Sequence, residues 1–215
     1  MKEGIMTVKI TWLGHASFKV EEKSRVYIDP WKIKETEKAD LVLITHSHYD
    51  HLSPEDVEKI QGERTSIVVP YDGVGKLRGN VRGIAPGESI SVNDVNIQAV
   101  PAYNVGKSYH PKGNKWVGYV VEIGGISIYH AGDTDFIPEM KEINPYVALL
   151  PIGGTYTMGV DDALRAVESL NPHIVIPMHY GDIVGSINDA RRFAKSCKKA
   201  EVKILSPGEI LEVTK

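Results

Sequence analysis

The stretch Thr45-His46-Ser47-His48-Tyr49-Asp50-His51 sets three imidazoles and a carboxylate close together, directly behind the apolar run Leu41-Val42-Leu43-Ile44. Neutral imidazole nitrogens and carboxylate oxygens are the donors that Zn²⁺ and similar divalent ions take. His46 and His48 are two positions apart, so on a locally extended chain they leave on the same side and can grip one ion. Asp50 and His51 follow as neighbours on a turning segment and could serve a second ion beside the first. Ser53-Pro54-Glu55-Asp56 then reads as a helix start, with a serine N-cap, a proline in the first turn and acids at the positive end. The donor loop is thereby pinned between a buried strand and a capped helix. The bland alternative is a His-rich surface turn. An internal, non-repetitive stretch fits neither a tag nor a low-complexity tract.

Two further strand ends carry the same donor types. Ile126-Ser127-Ile128-Tyr129 runs into His130-Ala131-Gly132-Asp133-Thr134-Asp135, and Ile174-Val175-Ile176-Pro177 runs into Met178-His179-Tyr180-Gly181-Asp182. Ligand sites gather at the C-terminal ends of such strands. Asp133 and His179 are therefore the partners expected for the first cluster.

The elements that must position these residues are mostly short β-branched runs. Strands are predicted over 8–13, 18–20, 26–28, 41–45, 67–69, 95–100, 116–123, 126–129, 147–150, 174–176, 202–205 and 210–213, with Gly124-Gly125 as a hairpin turn. Helical spacing appears at Ala163, Ala166, Val167 and Leu170, and again at Ile187, Ala190, Phe193, Ala194 and Cys197 behind a Ser186 N-cap. Shorter helices are expected over 54–60 and 137–143. Strands interspersed with helices imply an α/β protein of layered sheets covered by helices.

The chain has 215 residues, which suits one domain over 1–215 with a substantial core. Its net charge of −3 supplies no basic stripe, which argues against nucleic acid as a partner. Cys197 is the one cysteine, so no intrachain disulfide forms; that fits a reducing, cytoplasmic setting, and packing suits this thiol better than catalysis. The segment Met1-Lys2-Glu3-Gly4-Ile5-Met6 lacks the apolar core of a signal peptide, and no run approaches the length of a membrane span.

The ordered set of Thr45-His46-Ser47-His48-Tyr49-Asp50-His51, Gly132-Asp133-Thr134 and His179 resembles the metallo-β-lactamase fold superfamily. Trp12-Leu13-Gly14-His15-Ala16-Ser17 and Ile28-Asp29-Pro30 are similar to a subgroup of it. That subgroup includes ascorbate-6-phosphate lactonase, the phospholipase D acting on N-acyl phosphatidylethanolamines, and predicted metal-dependent hydrolases. The resemblance spans nearly the whole chain. It implies a four-layer αβ/βα sandwich with the site along one edge of two sheets. It also implies His46 and His48 on a first metal, Asp50, His51 and His179 on a second, and Asp133 bridging both. A carboxylate can bind through both oxygens, which suits a bridging role.

One departure stands out. The family usually places a third histidine for the first metal on a loop after the middle strand. The corresponding stretch here, Val100-Pro101-Ala102-Tyr103-Asn104, has none. His110, in Ser108-Tyr109-His110-Pro111-Lys112-Gly113, either swings in as that ligand or meets substrate. Tyr103 or Asn104 could also contribute contacts. With none of them, the first metal would be weakly held and one ion would have to suffice.

The other candidates have modest readings. His15 and His130 fit buried structural or ligand-orienting roles, His130 being also a possible proton donor. Asp29 fits an acceptor for a ligand imidazole, and His173 a helix cap or a surface residue. Gly153-Gly154-Thr155-Tyr156-Thr157-Met158 could cradle an anion or simply connect strand to helix. Lys107, Lys112 and Lys115, near His110, could present charge to an anionic small-molecule substrate or be plain surface lysines. Together these features predict a metal-dependent hydrolase acting on a small ester, lactone or related substrate. It would use one or two divalent ions, zinc foremost, manganese or another otherwise, with Asp50 and His110 as catalytic residues. A phosphodiesterase or nuclease on the same metals and a non-catalytic metal sensor or scaffold are the alternatives. Oligomeric state is not legible.

Overall fold

In the computed structural model, residues 6–214 are described, and their strands form two seven-stranded sheets. In the first sheet, β1 (Thr7–Gly14), β2 (Ser17–Glu21) and β3 (Arg25–Ile28) make an antiparallel meander. Next, β4 (Leu41–Leu43), β5 (Ser66–Pro70) and β6 (Asn80–Ile84) continue in parallel. In the second sheet, β7 (Ser89–Val92), β8 (Val95–Pro101), β9 (Val117–Ile123) and β10 (Ile126–His130) are antiparallel neighbours. Three parallel strands extend it, β11 (Val147–Pro151), β12 (Ile174–Met178) and β13 (Glu201–Val202). The last strand, β14 (Ile210–Thr214), returns to pair with β1 of the first sheet.

Two-residue periodicity assigns each sheet face. Leu41 and Leu43 enter the core between the sheets, whereas Val42 and Ile44 point outward to Val57 and Ile60 of α1 (Pro54–Ile60). The same alternation holds at Val26, Tyr27 and Ile28, and at Ile67, Val68 and Val69. Ser53 caps α1 by accepting from the Asp56 amide, as its sequence predicts. Across the molecule, α2 (Val160–Leu170) packs on β11 and on α3 (Ile187–Ser196), burying Ala163, Ala166, Val167, Leu170 and Phe193. Two mixed sheets between helices are the expected four-layer αβ/βα sandwich.

Local differences have local causes. The segment at 137–143 makes only a 3₁₀ turn, Pro138–Glu142, cut short before Asn144-Pro145. Strands β6 and β7 escape sequence reading because mostly exposed, polar positions leave no apolar run. The strand expected over 202–205 is the two-residue β13. Gly124 and Gly125, at φ +55 and +76, make the predicted two-residue hairpin turn, with Ile123 paired to Ile126. Among the described residues, no helix is long and apolar enough to cross a membrane. The segment read as lacking a signal-peptide core lies, except for Met6, outside the described residues.

Parallel pairing has one consequence for function. The C-terminal ends of β1, β3 and β4 fall on one edge of the first sheet, and those of β10 and β12 on one edge of the second. These ends deliver His15, Asp29, His46, Asp133 and His179.

Candidate metal centre

Asp29, fully buried after β3, fixes two of the donor histidines. Its Oδ1 accepts from the Thr45 amide at 2.7 Å, and its Oδ2 accepts from Thr45 Oγ1 at 2.6 Å and from His51 Nδ1 at 2.7 Å. A carboxylate only accepts, so Thr45 must donate its hydroxyl proton to Asp29. The Thr45 oxygen is then left to accept from His46 Nδ1, 3.0 Å away. Both rings thus carry a proton on Nδ1, which leaves Nε2 as the atom each can offer a metal. An outer carboxylate that sets the ring tautomer in this way prepares a histidine for a metal.

His110 is prepared similarly by the stretch that lacks a histidine. Asn104 Oδ1 accepts from the His110 amide at 3.0 Å and lies 3.1 Å from His110 Nδ1, while Asn104 Nδ2 donates to the Tyr156 carbonyl at 2.8 Å. The Tyr156 carbonyl also lies 3.2 Å from His110 Nδ1. Both neighbours are acceptors, so the proton sits on Nδ1 and Nε2 is free. The loop folds back so that donor nitrogens of His46, His48 and His110 lie within 4.8 Å of one another. Trp116 packs against all three rings and donates to Asp72, which also holds Ser47.

Asp133 stands between this triad and a second group. Its Oδ2 is 3.3 Å from His110 Nε2 and 3.1 Å from His179 Nε2, and its Oδ1 is 3.3 Å from His51 Nε2. Asp50 Oδ2 is 3.6 Å from His51 Nε2 and 4.0 Å from His179 Nε2. His15 Nε2 donates to the same Asp50 oxygen at 3.0 Å. Burial opposes ionisation of Asp50, yet the His15 hydrogen bond and nearby His51 win and hold its carboxyl at about 2. Burial also works against the Asp133 carboxylate, but His179 and His51 keep it well below the usual carboxylate range. Burial lowers His46, whereas in His51 the carboxylates of Asp133 and Asp29 overcome burial and raise it. Carboxylates that would keep a proton on His51 equally favour a metal cation there.

The donor set fits a metal. Nε2 of His46, His51, His110 and His179, and Asp133 Oδ1, are buried with no hydrogen-bond partner among the described residues. Such orphaned polar atoms are rare in folded proteins, and here they converge. Donors around one tetrahedral ion at roughly 2.0–2.2 Å stand about 3.3–3.6 Å apart. The contacts of 3.1–3.6 Å around Asp133 and His51 match that spacing better than hydrogen bonds.

Backbone conformation marks the same edge. His15, Asp29 and His179 sit at φ +51, +46 and +57, a left-handed region that few non-glycine residues adopt and that often accompanies functional sites. Gly153 has a steric role: a Cβ there would collide with the His179 carbonyl oxygen, so glycine lets the two loops touch. His130 is buried, its Nε2 2.8 Å from the Ala16 carbonyl and its Nδ1 accepting from the Gly132 amide at 3.2 Å. It orients the loop that carries Asp133. His173 is exposed and stacks on Tyr146, and Cys197 is buried.

A family model described as a beta-lactamase superfamily domain matches residues 9–179, well over half of the chain. The chain belongs to this superfamily. Within it, a UPF0173 metal-dependent hydrolase of Thermococcus onnurineus is 40% identical, the match covering 96% of this chain and 100% of the relative. One from Pyrococcus furiosus is 38% identical with the same coverage, 96% and 100%. Igni18, a metallo hydrolase of Ignicoccus hospitalis, superposes with a TM-score of 0.81 at 31% identity, covering 96% of this chain and 98% of that one. A crystal structure from Parabacteroides distasonis gives a TM-score of 0.82 at 33% identity, covering 92% of each chain.

For this superfamily member, all six residues expected as ligands lie at one rim, with His110 beside them. Sequence reasoning missed the part played by Thr45, which sits in the motif yet binds through its neighbour. Tyr109 and Tyr156 stood in the sequence only as members of the stretches around His110 and after Gly153; the structure sets both in the wall of the cavity over the centre. Removing the Asn104 side chain (Asn104→Ala) leaves His110 Nδ1 only the Tyr156 carbonyl and takes the acceptor from the His110 amide, and loss of such an outer partner costs ~10–100-fold in metal affinity. His110→Ala should cost more and lower the metal-to-protein ratio in elemental analysis. Equal metal content in parent and both variants would remove His110 from the centre.

Proposed function

We propose that this chain is a metal-dependent hydrolase that cleaves a small ester, lactone or related carbonyl substrate as one catalytic domain. It would use one or two divalent ions, zinc foremost or manganese. The observation that carries this is a set of buried, unpartnered donors, the Nε2 atoms of His51, His110 and His179 gathered within 3.3 Å of Asp133 and His46 Nε2 beside His110. His46, His48 and His110 would hold one ion, Asp50, His51 and His179 a second, and Asp133 would reach both. When bound, the ions supply Lewis acidity for the carbonyl and bring a water toward a pKa of about 7.

The chain's own groups do the rest. Asp50, ionised and steadied by His15 at 3.0 Å, can accept a hydrogen bond from the attacking water and set its approach. Its side chain is 11% exposed and opens on a cavity of about 240 Å³ that borders His48, His110, Asp133 and His179. The near-dry floor strengthens each charge placed there. The position of His110 beside His46 and His48 favours an enzyme over a non-catalytic sensor, whose motive was the missing third histidine.

The test is reconstitution with Zn²⁺ or Mn²⁺, followed by a panel of esters, lactones and phosphodiesters. Carbonyl substrates should turn over, and His48→Ala should lower that rate by at least ~100-fold, beyond the ~10–100-fold typical of outer partners. Silence across the panel with every ion, or full activity in His48→Ala, ends this reading.

A further inference from the structure

Among the described residues, the walls of the cavity above the centre contain no lysine or arginine; beyond the donors they are Tyr49, Tyr109, Tyr156 and Ile183. Tyr109 and Tyr156 meet edge to face, with centroids 4.7 Å apart at 88°. Tyr49 and Tyr109 are 69% and 47% exposed, so both rings are open to whatever enters the mouth. Tyr49 is held from behind by Trp31, edge-on at 6.1 Å.

Three nearby cations are paired with acids, while Lys115 is exposed and outside the cavity walls. Lys107 Nζ donates to Asp135 at 2.6 Å and to the Thr157 carbonyl at 2.7 Å. Lys112 Nζ is paired with Glu139 at 2.8 Å, and Lys32 Nζ with Asp182 at 3.1 Å. A charge carried on the far end of a substrate, up among the tyrosines and away from the ions, would lose water and find only hydroxyl donors there. An uncharged ring meets the faces and edges that aromatic side chains prefer. The cavity, about 240 Å³, is smaller than the roughly 300–1,000 Å³ that accommodates drug-sized ligands, so it suits a compact substrate of one ring and its ester group.

We propose that the substrate is an uncharged ester or lactone carrying one flat aromatic or compact apolar ring, seated by Tyr109 and Tyr156 beneath Tyr49 and Ile183. This rests on the hydrolase reading above and narrows it. In the reaction, a water oxygen bonds to the carbonyl carbon, the ester C–O bond breaks, and the departing oxygen takes up the water's proton. Substrates with a charge on the ring are disfavoured.

Metal-reconstituted protein is assayed with phenyl acetate and with its 4-carboxylate derivative, whose leaving group is at least as good. The neutral ester should have a kcat/KM ~10-fold higher or more, and Tyr109→Ala should raise its KM about 3- to 10-fold, the size of an aromatic contact. Tyr109→Phe should restore KM, and Tyr49→Ala, from the other side of the mouth, should raise it too. Calorimetry with acetohydroxamate and benzohydroxamate supplies a readout free of turnover. The ring should tighten binding ~10-fold, and Tyr109→Ala should erase most of that gain. If acetohydroxamate binds but the ring adds nothing, or if the charged ester is hydrolysed as fast as the neutral one, the substrate proposal falls alone. If acetohydroxamate fails to bind metal-loaded protein, the hydrolase reading falls and takes this proposal with it.

Discussion

Asp133→Ala protein is expected to leave purification nearly free of metal and to hydrolyse nothing measurable. The carboxylate lies within 3.3 Å of Nε2 atoms on His51, His110 and His179, which come from three different parts of the chain. Its negative charge offsets the mutual repulsion that two cations would suffer at this spot. Removing one partner from a buried charged set costs ~3–5 kcal/mol, or roughly 150- to 5,000-fold in affinity. Asp133→Asn separates charge from shape: it fills the same space yet brings an amide hydrogen toward lone pairs that must stay free. Both variants should therefore fail alike, whereas a merely space-filling role predicts that the amide variant keeps its metal. Elemental analysis and turnover, read side by side, decide it. Stoichiometric metal or full activity in Asp133→Ala would overturn the site as described.

How much of this was readable beforehand depends on the distance over which each constraint acts. The donor loop could be read because its logic is local: an apolar strand, alternate histidines and a helix cap within one short stretch. Asp133 and His179 were readable because buried strands announce their own C-terminal ends. Layered sheets covered by helices followed from strand and helix periodicities, the four-layer sandwich from the family resemblance, and the pattern of Leu41, Val42, Leu43 and Ile44 is the one observed. His110 was ambiguous for a physical reason. Its place is set by Asn104 and the Tyr156 carbonyl, one six positions earlier and the other forty-six later, and neither pairing has a sequence signature. The left-handed backbones of His15, Asp29 and His179 were equally invisible, since tertiary contacts impose them. The lysines near His110 looked free in the sequence, yet Lys107 and Lys112 are bound by acids from distant loops.

The role of Asp29 makes the most exacting prediction, because it turns on where two protons sit. Asp29→Ala strands three buried donors, the Thr45 amide, the Thr45 hydroxyl and His51 Nδ1. Each unsatisfied group costs ~1–3 kcal/mol, against a typical total stability of ~5–15 kcal/mol. Alanine also tolerates the positive φ at this position poorly. That variant should unfold tens of degrees earlier or fail to accumulate. Asp29→Asn is gentler and more informative. Asparagine accepts the left-handed backbone and keeps one oxygen for the Thr45 amide. Its NH₂, however, now donates where a carboxylate accepted. Thr45 must then turn its hydroxyl proton toward His46 Nδ1, and His51 Nδ1 must accept as well. Both rings shift their proton to Nε2, the atoms needed bare at the centre. A folded protein with a near-parental melting temperature and metal affinity weakened ~10–100-fold is therefore expected, as for loss of an outer partner. Competitive chelator titration measures the affinity, and thermal unfolding of metal-free protein measures the fold. Parental affinity in Asp29→Asn would mean that Thr45 and Asp29 do not set the tautomers, and the lone pairs at the centre would need another source.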